Sequence, residues 1–300
     1  MALLDLGTNT FHLLIVELKG QSITELYRER VFVKLAEGGI EKLSSEVYER
    51  AILTLLKFSE VIKSFQIQGD EVQAVGTAAL RRASNGPQFI QEVKTKTSIL
   101  IKLISGDEEA ILISKGIQMA VGKLTGTSLI MDIGGGSTEF IILENEEIKW
   151  AKSFKIGIGV LHNKFFKDDP MATQQIETVN QYLHQACAPL INAIADLKIS
   201  YLIGASGSFE VVNDFLENKI SFANYRKIKS TQFNPIYKMM MEANLEERLA
   251  FEKLPNSRAE MIGMAMISMD FALKITNAPE IIISDYALKE GLIAEKLQIF

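Results

Sequence analysis

The segment at residues 132–139, Asp-Ile-Gly-Gly-Gly-Ser-Thr-Glu, carries the residue types of a loop that binds an anion together with a metal ion. Three consecutive glycines at positions 134–136 let the backbone approach a ligand closely and turn several N–H groups toward it. Ser137 adds a hydroxyl donor, while Asp132 and Glu139 offer oxygen ligands to a hard divalent cation. The alternative is a hairpin turn with solvated acids, which rarely needs three glycines because glycine costs stability.

A second segment repeats this pattern near the start of the chain. Residues 4–15 align without gaps on residues 131–142, so that Asp5 corresponds to Asp132. Both run from an apolar strand through Asp and a glycine-containing turn with hydroxyl groups into another apolar strand. Alone, the turn at residues 5–10 is a common one, and the alternative to a duplication is a chance match. The pairing of the two segments favours a protein built from two related halves.

Three further segments each follow a predicted strand, where α/β sheets place ligand-binding loops. Residues 204–208, Gly-Ala-Ser-Gly-Ser, precede a helix whose first N–H groups favour phosphate, although close packing explains the glycines equally well. Residues 75–85 carry two arginines that could clamp a phosphate or serve as surface charge. Residues 104–110 carry an acidic triplet that either caps a helix or positions a water molecule for attack.

Hydrophobic periodicity predicts the elements that hold these loops. Each half is expected to open with a β-meander and to continue with alternating helices and strands. The predicted strands of the first meander include separate segments at 24–27 and 31–35, and those of the second lie at 147–150 and 152–154. The predicted helices span 46–65, 107–121, 171–197, 258–276 and 286–297, with further helical material between 209 and 254.

Composition limits the class of protein. With 32 basic and 37 acidic residues the net charge is −5, which argues against a broad nucleic-acid-binding face but not against a small polyanionic ligand. The single cysteine, Cys187, cannot form an intramolecular disulfide, so we expect a reducing, cytoplasmic location. The three scattered histidines offer no zinc cluster, and no apolar run is long enough to span a membrane.

Taken together, the glycine- and acid-marked segments resemble the exopolyphosphatase and guanosine pentaphosphate phosphatase (Ppx/GppA) family over essentially the whole chain. The resemblance rests on six segments of the sequence: DLGTNTFHLLI, VGTAALRRASN, ISGDEEA, DIGGGSTE, GASGS and SDYALKEGL. It implies an α/β fold with two ribonuclease H-like domains, as in the actin-like ATPase and sugar kinase fold, around an inter-domain cleft. We expect the domains at residues 1–123 and 124–300, with the closing helix at 286–297 packed back on the first domain.

The resemblance also implies roles for individual residues. Glu108 resembles the glutamate that activates the attacking water, and Arg81 resembles the arginine near the transferred phosphoryl group. Asp5, Asp132 and Glu139 are then expected to hold Mg²⁺ or another divalent cation. The expected phosphate-binding residues are Thr8, Asn9, Gly134, Gly135, Gly136, Ser137, Gly207 and Ser208.

These roles predict an enzyme that releases terminal phosphate from polyphosphate, with guanosine pentaphosphate as a further substrate. The chain departs from the family pattern at Ile111, where the family usually has Arg, and it resembles the short form without C-terminal HD-type domains. The rival interpretations are a kinase of the same fold that uses ATP and a non-catalytic protein that binds guanosine tetraphosphate or polyphosphate. Polyphosphate or guanosine pentaphosphate and a second copy of the chain are the expected partners, with neither nucleic acid nor a membrane among them.

Overall fold

The computed structural model describes residues 1–20, 22–216 and 219–299. Its strands are β1 (Ala2–Leu6), β2 (Thr10–Lys19), β3 (Ser22–Phe32), β4 (Val72–Gly76), β5 (Ile101–Leu103), β6 (Thr127–Ile133), β7 (Thr138–Glu144), β8 (Glu147–Phe154), β9 (Ile199–Ala205), β10 (Ile220–Ser221), β11 (Tyr225–Lys229) and β12 (Glu280–Ser284). Its α-helices are α1 (Ser45–Ser64), α2 (Ala78–Arg82), α3 (Gly86–Thr97), α4 (Gly106–Val121), α5 (Ile158–Phe165), α6 (Thr173–Ala186), α7 (Ala188–Ile194), α8 (Gly207–Phe215), α9 (Phe233–Glu242), α10 (Leu245–Leu249), α11 (Asn256–Ala259), α12 (Ile262–Thr276) and α13 (Leu288–Leu297).

Two mixed sheets with the same core topology form the two halves. The first sheet has the order β3-β2-β1-β4-β5, in which β2 is antiparallel to both neighbours and β1, β4 and β5 are parallel. In the second sheet, β8-β7-β6-β9-β12 repeats this order and these directions, and β11 and β10 extend the far edge. This repeat confirms the predicted α/β fold with two ribonuclease H-like halves.

The strand register puts the duplicated residues in equivalent places. Asp5 of β1 lies opposite His12 of β2, and Asp132 of β6 lies opposite Glu139 of β7. Residues directly opposite each other on antiparallel strands present their side chains on the same face of a sheet. Each half therefore contributes an aspartate and a second titratable side chain at the mouth of its first hairpin.

Several element boundaries differ from the predicted ones. The segments at 24–27 and 31–35 were predicted as separate strands, but β3 runs without interruption from 22 to 32. The long helix predicted at 171–197 divides between α6 and α7 because Pro189, in the first turn of α7, has no amide hydrogen to continue the ladder. The edge hairpin β10-β11 lies within the segment predicted to be helical.

A central layer joins the two sheets. Buried apolar residues of β1, β6, α4 and α13 form one cluster, which includes Leu3, Ile130, Ile113 and Leu292. Helix α13 contacts both α4 and β1, so the end of the chain packs against the first half. Within the described residues, no helix has both the length and the apolar composition needed to cross a lipid bilayer.

Candidate active site

A cleft of about 510 Å³ lies between the two halves, where the loops after β1, β6, β9 and β12 converge. This is the edge at which parallel sheets place ligand sites. The cleft is lined by Asp5, Thr8, Asn9, Asp132, Gly134, Gly135, Gly136, Ser137, Glu139, Gly207 and Ser208, all of them predicted site residues. Two predicted catalytic residues, Arg81 and Glu108, are absent from this lining.

The two glycine loops face each other across the cleft and share one local geometry. In the first loop the N–H of Gly7 donates to the Thr10 carbonyl at 3.1 Å, and in the second the N–H of Gly134 donates to the Ser137 carbonyl at 3.0 Å. A Cβ atom on Gly135 would lie 2.6 Å from Cγ of Asn9, a distance that real Cβ contacts do not reach. A side chain at position 135 would displace the Asn9 side chain, so glycine here allows the close approach of the two loops.

The second loop retains backbone donors for a ligand. The carbonyls of Gly134 and Gly135 accept hydrogen bonds from the start of α5, at 3.0 Å and 2.9 Å. The N–H groups of Gly135 and Gly136, by contrast, have no backbone acceptor among the described residues. Successive free N–H groups of this kind make a concavity that favours an anion.

A third loop adds a helix start and a guanidinium. Gly207 and Ser208 lie in the first turn of α8. The N–H groups of this turn form the positive end of the helix dipole. The Arg258 guanidinium packs against Gly207 and lies 5.8 Å from the ring centroid of Phe32. Ser206, which precedes α8, adopts the unusual φ of 110° and its hydroxyl has no hydrogen-bond partner among the described residues.

Four carboxyl groups lie on the floor of the cleft, two of them buried (Glu109 and Glu139) and two half-buried (Asp5 and Asp132), and their pKa values are raised. Burial raises the pKa of Asp5 to about 6. Burial, then repulsion from Glu139, raises the pKa of Asp132 well above its usual range. Burial likewise raises the pKa of Glu139, although the Ser153 hydroxyl, donating to Oε1 at 2.6 Å, opposes the shift.

The fourth carboxyl group belongs to Glu109. It is buried, and its Oε2 accepts from Nη1 of Arg81 at 3.3 Å. Burial and repulsion from Glu139 raise its pKa well above the ordinary value, while Arg81 opposes the rise. The Arg81 guanidinium also donates to the Ile104 carbonyl at 2.5 Å, which fixes it behind Glu109 rather than in the cleft.

Glu108, the predicted catalytic glutamate, points away from this floor. Its carboxylate accepts from the Ser105 N–H at 2.7 Å while the Ser105 hydroxyl accepts from the Glu108 N–H at 3.1 Å, forming a capping box at the start of α4. These bonds from Ser105 lower the pKa of Glu108. The spacing Ser-x-x-Glu is a known cap signature and could have assigned Glu108 to the cap from the sequence.

Basic residues that the sequence analysis did not assign form the opposite wall of the cleft. They are Arg28, Arg30, Lys34, Arg258 and Lys289. Arg28 and Arg30 alternate along β3, a period of two that places their side chains on one face of the strand, and Lys34 follows its end. Burial lowers the pKa of His12 well below its usual value, and this wall of cations lowers it further.

The residues of the cleft fit a magnesium ion held partly by its substrate. Among the described residues, no group of three or more His, Cys, Asp or Glu side chains converges closely enough to form a metal centre. Magnesium, however, usually takes only one or two carboxylates and completes its shell with waters and phosphate oxygens. The four mutually repelling carboxyl groups on the floor are the donors that such a cation would find.

Comparison with known proteins places this geometry in a family. A model of the Ppx/GppA phosphatase family matches residues 14–300. The chain belongs to this family. A guanosine-5'-triphosphate,3'-diphosphate pyrophosphatase of Vibrio parahaemolyticus is 30% identical over 98% of the chain, which spans 58% of the length of that relative.

Solved structures of family members share the fold. The crystal structure of an exopolyphosphatase from Cytophaga hutchinsonii superposes with a TM-score of 0.93 at 34% identity, covering 99% of this chain and 97% of that one. The Aquifex aeolicus member of the Ppx/GppA family superposes with a TM-score of 0.82 at 22% identity, covering 99% of this chain and 97% of that one. Both superpositions extend over nearly the whole chain.

Proposed function

We propose that this Ppx/GppA family member hydrolyses the terminal phosphoanhydride bond of inorganic polyphosphate and releases phosphate. The observation that carries the proposal is the buried Glu109 carboxyl group, held by Arg81 on the same cleft floor that the two glycine loops overlook. The 34% identical exopolyphosphatase, matched over 97% of its chain, supports polyphosphate as the substrate.

In this proposal each residue has a role that follows from its position in the cleft. Free N–H groups of Gly135 and Gly136 and the hydroxyl of Ser137 bind oxygens of the terminal phosphate. Glu109 accepts a proton from the attacking water, whose oxygen forms a bond to phosphorus as the bridging P–O bond breaks. The shortened chain leaves with the bridging oxygen. Arg81 acts on Glu109 and not on the phosphate, because its guanidinium is turned away from the cleft.

Magnesium is the expected cofactor. Asp5 and Asp132, with Glu139 behind them, would hold it on the cleft floor. When bound, the ion neutralises charge on phosphate oxygens and so favours attack by water. The protein's own groups orient the attacking water and bind the phosphate chain in one position.

Guanosine pentaphosphate is a second candidate substrate. The observation that favours it is the 30% identity to the Vibrio parahaemolyticus enzyme named for that nucleotide. Both substrates end in a phosphoanhydride, so the same floor and the same loops would serve either of them.

The two neighbouring glutamates provide a matched test. With polyphosphate and Mg²⁺, we expect Glu109→Gln to lower kcat by about 10²- to 10⁴-fold, since it loses the proton acceptor. Glu108→Gln should keep kcat within a few-fold and cost only about 1 kcal/mol of stability through the weakened cap. Released phosphate measures the rates, and equilibrium binding of polyphosphate should survive in both variants.

Other outcomes of this experiment identify the rival functions. Phosphate transfer from ATP that requires an acceptor other than water would indicate a kinase. Tight binding of guanosine tetraphosphate or polyphosphate by the unaltered protein, without phosphate release, would indicate a binding protein. Equal loss of activity in both glutamate variants would contradict the role given to Glu109.

A further inference from the structure

Lys289 has a largely buried side chain whose ammonium group opens on the cleft without a partner among the described residues. It is 7% exposed, lies in the first turn of α13 and lines the cleft. Among the described residues, its Nζ has neither a hydrogen-bond acceptor nor a carboxylate oxygen within 4.0 Å. An ammonium group that opens on a cleft and is not tied to a carboxylate is free to bind an anionic ligand there.

The neighbouring residues fix this side chain in place without neutralising it. Glu290 is 2% exposed, and its two oxygens are engaged by the Ala287 N–H at 2.9 Å and by Nη2 of Arg28 at 3.2 Å. Behind Lys289, Gly291 packs so closely on α4 that a Cβ would lie 1.8 Å from the Leu112 carbonyl oxygen. The start of α13 is therefore held on both sides, and the Glu290 carboxylate remains bound to Arg28.

Lys289 faces the acidic floor. Its positive charge lowers the pKa values of Asp5 and Asp132, and it also acts on His12 from the same side. It lies close enough to influence these groups but forms no ion pair with either aspartate. This leaves all three ammonium hydrogens available to a ligand that lies between the floor and the basic wall.

We infer that Lys289 is a further catalytic residue, which donates hydrogen bonds from Nζ to oxygens of the terminal phosphoryl group. The inference rests on the proposed function, because it assigns the ligand of that same cleft. The ammonium lines the same cleft as the glycine loops and adds a cation to their N–H donors. Charge on the phosphoryl oxygens makes such an interaction stronger than one between neutral groups.

The test compares Lys289→Gln, Lys289→Arg and, as a matched control, Lys296→Gln on the exposed end of the same helix. With polyphosphate and Mg²⁺, we expect Lys289→Gln to lower kcat/KM by about 10- to 100-fold, the value of a hydrogen bond to a charged group. Lys289→Arg should recover part of the loss because it restores the charge. Lys296→Gln should match the unaltered protein.

Equilibrium binding of imidodiphosphate, which is not hydrolysed, separates this inference from the proposed function. Weaker binding by Lys289→Gln supports the inference even if the unaltered protein releases no phosphate, in which case the proposed function alone fails. If the protein is active but Lys289→Gln keeps both kcat/KM and imidodiphosphate affinity, the inference is wrong. A lowered Tm with unchanged kinetics and affinity would also overturn it, because Lys289 would then serve only as a counter-ion for the aspartates.

A measurement on the unaltered protein covers the case in which the variants do not fold. Imidodiphosphate with Mg²⁺ should protect Lys289 from reductive methylation, detected by mass spectrometry, and leave Lys296 as reactive as before. Equal labelling of Lys289 with and without the anion would overturn the inference.

Discussion

At the scale of single residues, Arg81 lies outside the cleft lining and affects the cleft through its contact with Glu109. Its guanidinium is bound to the Ile104 carbonyl and to Glu109, and its charge opposes the rise in the Glu109 pKa that burial causes. A positioning residue of this kind sets the pH at which its neighbour loses a proton. In the proposed function it would do so without touching the substrate.

We expect Arg81→Gln to move the acid limb of the pH–rate profile to higher pH. Without the nearby positive charge the pKa of Glu109 rises further, so its carboxylate is available only above a higher pH, by about one unit. The profile of kcat against pH measures the shift. Arg82→Gln is the control, because Arg82 pairs with Glu41 at the surface, and an acid limb that stays in place in Arg81→Gln would contradict the assignment.

The contrast between Glu108 and Glu109 shows what the residue pattern could and could not predict. The acidic triplet was correctly placed at a helix start, but adjacent helical residues point about 100° apart. Periodicity does not show which one faces the cleft, but the Ser-x-x-Glu cap signature at Ser105 could have assigned Glu108 to the cap. Lys289 was missed for a related reason: the sequence does not reveal that Glu290, beside it, is already paired with a residue 262 positions away.

At the scale of elements, the crossing of α4 and α13 joins the two halves. The helices meet at two glycines, where a Cβ on Gly116 would lie 1.9 Å from the Ala287 carbonyl oxygen and one on Gly291 would lie 1.8 Å from that of Leu112. No side chain fits in this space. The helix axes approach so closely that the start of α13 carries Lys289 to the cleft.

We expect Gly291→Ala to destabilise the protein by about 1–3 kcal/mol, because the new methyl group must push the two helices apart. Gly263→Ala in α12 is a matched control, since there the nearest atom to a new Cβ is Met241 Sδ at 3.8 Å. That variant should be neutral or stabilised by up to about 1 kcal/mol, as alanine favours a helix. Urea unfolding measures the free energy of unfolding of both variants. Equal changes in the two would show that the helix crossing can accommodate a methyl group.

The elements themselves were predictable where periodicity is strong. Helix α1 follows its predicted span to within a residue, since its apolar residues recur at helical spacing. The hairpin β10-β11 was missed because, among its described residues, only Ile228 is buried, so no alternating pattern marks it. The Met-rich helix predicted at 258–276 begins instead at Ile262, after the short helix α11 that places Arg258 over Gly207.

At the scale of the whole molecule, the net charge of −5 conceals a division of charge within the cleft. Four carboxyl groups form the floor, and a group of basic side chains lines the same cleft. The gap-free alignment of residues 4–15 on 131–142 predicted the two aspartates of the floor, because it reflects the duplicated sheet. The basic wall was not predicted, because its residues come from β3, the loop after it, α11 and α13, outside the duplicated segments.

The charged floor should make the stability of the free protein fall as pH rises. Burial raises the pKa of Asp5 from 3.8 to about 6, so between these values the folded protein retains a proton that the unfolded chain has lost. The free energy of unfolding therefore decreases over this window, and the raised pKa values of Asp132, Glu109 and Glu139 extend the decrease to higher pH. Mg²⁺ competes with these protons, so we expect it to raise Tm by a few degrees at pH 8 and by much less at pH 5.

Thermal unfolding at both pH values measures this effect of Mg²⁺, with K⁺ at equal ionic strength as the control. The variant Asp5→Asn should show a smaller rise in Tm with Mg²⁺. An equal rise at both pH values would place the cation elsewhere on the protein.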